Sequence, residues 1–177
     1  SAASDVYKRQ ALTGDLGANL IDGAAGADTL AGGSGADTLL GNLGDDVLIG
    51  GVGADTISTG SGADVILGDN GAVTLSAFIP VFVRTTNAAL GDADEIRAGE
   101  GDNVVLGGVG GDTIVTGAGR DTVFGDAGQV RFDAKGLVER AESLDTAIGG
   151  DDTIEAGAGD NLVVAGVGAD RVTTLGG

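Results

Sequence analysis

"GGSGADTLL" (residues 32–40) sets three glycines and one aspartate ahead of a threonine and two leucines. Slid along the chain, the stretch returns every nine residues. Units begin at Gly14, Gly23, Gly32, Gly41, Gly50, Thr59 and Gly68, then at Ala89, Ala98, Gly107, Thr116 and Gly125, then at Ala147, Ala156 and Ala165. Position eight is apolar in every unit, from Ile21 and Leu30 to Val163 and Val172, and it includes Leu75 and Phe132. Position four is Gly except at Asp92, and position six is Asp, or Asn at Asn19, Asn103 and Asn161, except at Val73 and Val130.

Six residues of glycine-rich turn therefore alternate with three of strand. Glycine admits the positive φ angles of a tight turn, and triplets such as "TLL" have β character with the middle side chain pointing inward. One unit cannot bury its single aliphatic alone, so the units must stack into an all-β solenoid with a thin aliphatic core.

A longer period lies over the nine. Residues 44–75 recur as residues 101–132, and partly as residues 159–174, at offsets of 57 and 58. The nonapeptide count leaves insertions at residues 77–88 and 134–146. The second reads as strand, Gly-containing turn, strand, so each is expected to be a protruding β-hairpin. The expected organisation is a first roll block at 11–76, a second at 89–133 and a third at 147–177. The first ten residues, "SAASDVYKRQ", match the in-frame translation of a sequencing-library adapter and are read as a non-structural scar.

Composition narrows the chemistry. The 177 residues include 36 Gly but no His, Cys, Met or Trp, which removes thiolate nucleophiles, imidazole bases and ordinary zinc sites. Twenty-seven acidic residues against nine basic give a net charge of −18. Hard, oxygen-only cation ligation stays open, and a nucleic-acid partner is not expected. The apolar run at residues 72–83 contains a proline and is too short for a membrane-spanning helix.

Asp at one repeat position raises an energetic question. In a two-sided roll, position-six side chains two units apart stack at about the 4.8 Å strand spacing. Two carboxylates there repel by roughly 1 kcal/mol in water and about 3.5 kcal/mol at an effective dielectric of 20. Several such contacts are serious against a domain stability of about 5–15 kcal/mol. Either the aspartates splay into solvent as Asx turns, or cations sit between them.

The units "GGSGADTLL", "GGVGADTIS" and "GGVGGDTIV" (residues 107–115) resemble the RTX, or haemolysin-type, calcium-binding repeat. The resemblance covers nearly all of residues 14–173, hairpins excepted. It implies a parallel β-roll (β-solenoid) holding Ca²⁺ between turns two units apart, bacterial secretion and calcium-triggered folding outside the cell. Its implied two-carboxylate sites pair Asp28 with Asp46, Asp37 with Asp55, Asp46 with Asp64, Asp94 with Asp112, and Asp152 with Asp170. Asn19 with Asp37 and Asn103 with Asp121 are expected to be weaker. The ladder is expected to stop at Val73 and Val130, and Asn161 to lack a partner. Asp45, Asp102, Asp151 and Asp160 at position five are expected to be solvated, as are Asp69 and Asp126 at position two. Position-seven threonines (Thr29, Thr38, Thr56, Thr113, Thr122, Thr153) read as an outward strand ladder.

The leading functional expectation is a non-enzymatic calcium-binding structural or adhesive module of a large secreted or cell-surface protein. The alternative is the calcium-dependent tail of a secreted protease, lipase or epimerase whose catalytic domain lies elsewhere. An ice-binding threonine face is disfavoured because position seven also carries Leu, Val, Glu and Arg.

Overall fold

A computed structural model describes residues 8–87, 89–144 and 147–176. Most of the adapter-like segment, and residues 88, 145 and 146 of the insertions, lie outside the described residues. Two seven-stranded parallel sheets face each other. The first runs, in spatial order, β1 (Ala11–Thr13), β3 (Thr29–Ser34), β5 (Val47–Val52), β7 (Val65–Asp69), β11 (Val104–Gly108), β13 (Thr122–Asp126) and β17 (Leu162–Val164). The second runs β2 (Leu20–Asp22), β4 (Thr38–Leu40), β6 (Thr56–Ser58), β10 (Glu95–Ala98), β12 (Thr113–Thr116), β16 (Thr153–Ala156) and β18 (Arg171–Thr174). Successive units alternate between sheets, so Thr29 lies opposite Val47 and Thr38 opposite Thr56.

The local causes are those of the repeat. Position-four glycines such as Gly35 (φ +102°) and Gly44 (φ +128°) turn the chain through the left-handed region closed to most side chains. Position-eight residues from Ile21 to Ile154 then fill one continuous core, with Val163 packed on its end. Val172, on the terminal strand β18, is exposed because no further turn covers it.

The insertions depart from expectation in length, register and placement. Val65 pairs with Val104, 39 residues on, and Thr113 with Thr153, 40 on, where the roll otherwise steps by 18. The ladder is therefore unbroken, with 21 residues looped out at 70–90 and 22 at 127–148. Each loop follows a Gly–Asp pair, Gly68–Asp69 or Gly125–Asp126. Gly68 is completed across the loop by Asp94: a Cβ placed on it would meet Asp94 Oδ2 at 2.2 Å, just as one on Gly32 would meet Asp37 Oδ2 at 2.4 Å. Residues 68–76 and 125–133 are thus not turns of the roll. They imitate a unit because two turn residues are followed by an alternating strand, and Val73, Leu75, Val130 and Phe132 belong to that strand.

The hairpin arms are β8 (Gly71–Ser76) with β9 (Ile79–Thr85), and β14 (Gly128–Phe132) with β15 (Val138–Ser143). They join through β9 and β14 into one antiparallel sheet, ordered β15-β14-β9-β8. This third sheet lies on the outer face of the first instead of standing away from the roll. Val83 and Val130 meet Val47, Val65, Leu67, Val104, Leu106 and Phe124 in a second apolar core. Burial of each such side chain contributes about 1.5–3 kcal/mol, so the hairpins are held firmly. The outward positions of the second sheet are chiefly polar, among them Thr38, Thr56, Glu95, Arg97 and Thr113. Thr122, by contrast, is buried on the covered face.

Each super-repeat holds four nonapeptides, or 36 residues, plus the 21 or 22 looped out, which accounts for the offsets of 57 and 58. Four nonapeptides add two strands to each roll sheet, and one hairpin adds two strands to the third. All three sheets advance together by about 10 Å per super-repeat at the ordinary strand spacing.

The N-terminal edge also departs from expectation. Gln10 occupies position six of a partial unit, its amide Nε2 donating to Gly23 O at 2.9 Å, while Arg9 Nε donates to Ala27 O at 2.9 Å. Residues 9 and 10 dock because they extend β1 back along the turn before β3, where Thr29 N donates to Gln10 O at 2.9 Å and Gln10 N donates to Asp28 Oδ1 at 2.6 Å. No helix among the described residues is long and apolar enough to cross a membrane.

Candidate metal centre

Turns along one side of the roll carry Asp28, Asp46, Asp64, Asn103, Asp121 and Asn161. Those along the other carry Asn19, Asp37, Asp55, Asp94, Asp112, Asp152 and Asp170. Within each column every position-six N–H donates to Oδ1 of the next residue. Asp28 to Asp46 is 2.7 Å, Asp37 to Asp55 2.8 Å, Asp46 to Asp64 2.9 Å, Asp94 to Asp112 2.8 Å and Asp152 to Asp170 3.0 Å. Asn19 to Asp37 (2.7 Å) and Asn103 to Asp121 (3.0 Å) follow the same rule.

All seven pairs drawn from the sequence are brought together, but the columns do not stop at the insertions. Asp55 reaches Asp94 at 2.8 Å, Asp64 reaches Asn103 at 3.1 Å, and Asp112 reaches Asp152 at 2.8 Å. Asn161 does have a partner, accepting from Asp121 N at 2.8 Å. The expected interruption fails because Val73 and Val130 leave the roll with their hairpins, so they never occupy position six.

Oδ1 is thus committed to the backbone. Oδ2 of Asp28, Asp37, Asp46, Asp55, Asp64, Asp94, Asp112, Asp121 and Asp152 is buried without a hydrogen-bond partner. One orphaned carboxylate oxygen is costly; a row of them demands a positive group. Burial is the main cause that pushes the carboxyl of Asp46 up to about 7, Asp94 to about 8 and Asp112 to about 9. Backbone N–H donors oppose the shift, and neighbouring carboxylates add to it.

What surrounds the orphans is oxygen. A Cβ on Gly32 would lie 2.4 Å from Asp37 Oδ2 and 2.5 Å from Gly50 O, and one on Gly107 2.4 Å from Asp112 Oδ2 and 2.1 Å from Gly125 O. Position-one glycine therefore leaves open a small space bounded by a carboxylate and a carbonyl, at separations close to the 2.3–2.6 Å of calcium–oxygen bonds. The asparagines give an internal control. Asn103 Nδ2 donates to Gly99 O and Gly101 O, both at 3.0 Å, and Asn161 Nδ2 donates to Gly157 O at 2.7 Å. At Asn103 and Asn161 the amide hydrogens take up the turn's carbonyls, whereas Asn19 Nδ2 donates to Asp15 Oδ1 at 3.3 Å; where the side chain stays a carboxylate, those carbonyls face another acceptor. Among the described residues no group of three acidic side chains forms a metal site by itself. Backbone carbonyls must complete any coordination, which suits a hard cation.

The remaining acids divide. Asp45, Asp102, Asp151 and Asp160 are exposed, as read from the sequence. Asp69 and Asp126 are buried instead. Asp69 Oδ2 accepts from Val109 N at 2.5 Å; Asp126 accepts from Gly150 N at 3.1 Å and from Val167 N at 2.5 Å. Each ties the root of a hairpin to the turn two units on, and burial raises the carboxyl of Asp69 to about 7. An acid also follows the turn's first glycine at Asp15, which is exposed and where no loop leaves the roll, so a Gly–Asp pair alone does not mark a hairpin root.

A family model described as the RTX calcium-binding nonapeptide repeat (4 copies) matches residues 11–39, 40–75, 89–114, 106–129 and 146–177. No curated protein matches the chain.

Proposed function

This chain belongs to the RTX calcium-binding nonapeptide repeat family, and from that premise we propose that its two carboxylate columns each hold a row of Ca²⁺ ions that set the folding of the roll. The observation that carries the residue assignment is the row of buried Oδ2 atoms without partners, one at each position-six Asp from Asp28 to Asp152. Asp28, Asp37, Asp46, Asp55, Asp64, Asp94, Asp112, Asp121, Asp152 and Asp170 supply charge. Asn19 and Asn103 supply at most a neutral oxygen. The ion supplies positive charge where carboxylates and turn carbonyls converge. The chain supplies the orientation: Oδ1 is fixed by an N–H of the preceding turn, which leaves Oδ2 facing inward.

The module serves as a calcium-set spacer or adhesive segment of a secreted or cell-surface bacterial protein. Millimolar extracellular calcium keeps it folded, and a chain with a net charge of −18 stays expanded without it. The equal advance of the three sheets supports a long, regular rod over a short enzyme tail.

The test is circular dichroism of the chain in chelator and then in about 10 mM Ca²⁺, with calorimetric stoichiometry. A calcium-dependent rise in β signal with several ions bound per chain is expected. An unchanged spectrum with no heat of binding refutes the proposal.

A further inference from the structure

We infer that the outer edge of β15 is a docking edge for one more β-hairpin of the kind the chain itself inserts, carried on a further super-repeat of the same roll. The inference rests on the third sheet and does not depend on the metal assignment.

The established contact between hairpins is β9 against β14, with Val83 opposite Val130. β15 is the counterpart of β9 one super-repeat on: Thr85 faces Gly71 as Ser143 faces Gly128, which makes Ala141 the equivalent of Val83. Leu144 N bonds Ala127 O at 2.8 Å, so by antiparallel alternation residues 142 and 140 also bond inward, while the amides of Ala141 and Ser143 point away from β14. The unpaired edge therefore presents the same backbone pattern that β9 offers to β14.

The floor beneath the two ends of the third sheet differs. Beyond β8, the first sheet turns out Thr13, Thr29 and Ala31, small or polar residues that need no cover. Toward β15 it turns out Leu162, 45% exposed, and the half-buried Val164. Clefts lie at both ends, about 350 Å³ beside Leu137, Val138 and Leu162 and about 250 Å³ beside Thr29, Leu75 and Phe78, so it is the exposed aliphatic floor that distinguishes the β15 end. Growth is thus favoured at β15 and not at β8.

A second copy of this chain cannot bring its own β8 to that edge. Its β8 lies over β5, so its β1, β3 and β5 would fall where β11, β13 and β17 of the first copy stand. The occupant must enter without surplus roll strands before it. The pattern it needs is that of residues 71–75, Gly-Ala-Val-Thr-Leu, which sets Ala opposite Glu142, Val opposite Ala141 and Thr opposite Arg140, with no like-charge pair.

The test uses the calcium-saturated chain and a fluorescein-labelled peptide of residues 70–86, with a scrambled peptide as control. Saturable binding is expected, together with slowed amide exchange at Ala141 and Ser143. Ala141→Pro removes the outward N–H and should abolish binding, while Val73→Pro, at the matching place on β8, should leave it intact. Leu162→Thr keeps the roll and should weaken binding several-fold. Binding that does not saturate, protection at Val73 instead of Ala141, equal binding of the scrambled peptide, or self-association of the chain through β15 would each overturn the inference.

Discussion

Replacing Asp112 by Asn should move metal-free stability and calcium binding in opposite directions. Asp112 is 1% exposed, its Oδ1 accepts from Asp94 N, and its Oδ2 has no partner. Burial raises its carboxyl from 3.8 to about 9. At about pH 7.5 the metal-free roll must therefore take up a proton that the unfolded chain does not hold. At 1.36 kcal/mol per pH unit from 3.8 to 7.5, the cost is about 5 kcal/mol, an upper figure. Asn removes it, and its amide can bond the turn carbonyls as Asn103 does. Asp112→Asn should thus stabilise the metal-free chain by about 3–5 kcal/mol at pH 7.5, shrinking to about 1.6 kcal/mol at pH 5. The intervals on either side, toward Asp94 and Asp152, lose a charge, so calorimetry should find tight binding reduced by one to two ions. Stability is read by circular dichroism in chelator, from urea through water into trimethylamine oxide. A variant less stable than the parent without metal, yet normal in calcium stoichiometry, would refute the reasoning.

Acid should partly substitute for metal. Carboxyls that hold protons more tightly folded than unfolded favour the metal-free roll below about pH 4, and that stability is lost as pH rises through about 6 for Asp55 and Asp64, 7 for Asp46 and Asp152, and 9 for Asp112. Circular dichroism in chelator should show β signal gained from pH 8 to 4.5, with calcium affinity falling over the same range. Leu106→Ala, beneath the hairpins, should cost about 2–5 kcal/mol in calcium. Val115→Ala, at the same repeat position on the uncovered sheet, should cost under about 1 kcal/mol, both read by thermal unfolding. Asp69→Ala strands the N–H of Val109 and should cost about 1–3 kcal/mol while speeding proteolysis within residues 70–90.

The nonapeptide was legible because two demands coincide on one period: glycine where φ must be positive, and an aliphatic where the strand faces inward. The position-six column was legible for the same reason. The hairpin register was not, because "GDNGAVTLS" satisfies the spacing by chance, its Val73 and Leu75 answering to the two-residue alternation of an ordinary strand. The clue lay in the outward positions. Val47, Ile49, Val65, Leu67, Val104 and Leu106 fall in every second unit of the roll, alternating with polar counterparts such as Thr56 and Ser58, the mark of one covered face and one bare one. The burial of Asp69 and Asp126 comes from the chain returning from each loop, at Gly91 and Gly149, and from the turn two units on, at Gly108 and Gly166, so it could not be read from the turn sequence alone.

The pairing of β9 with β14 also changes what happens when the rod is pulled along its axis. Without it, force would peel the roll one nonapeptide at a time, releasing about 3 nm of chain per event. With it, the strands between two hairpins cannot leave while the hairpins stay zipped side by side. The mechanical link becomes the whole super-repeat, and about 20 nm is released at once. A chain built this way is stiff until it yields and then lengthens in large, even steps.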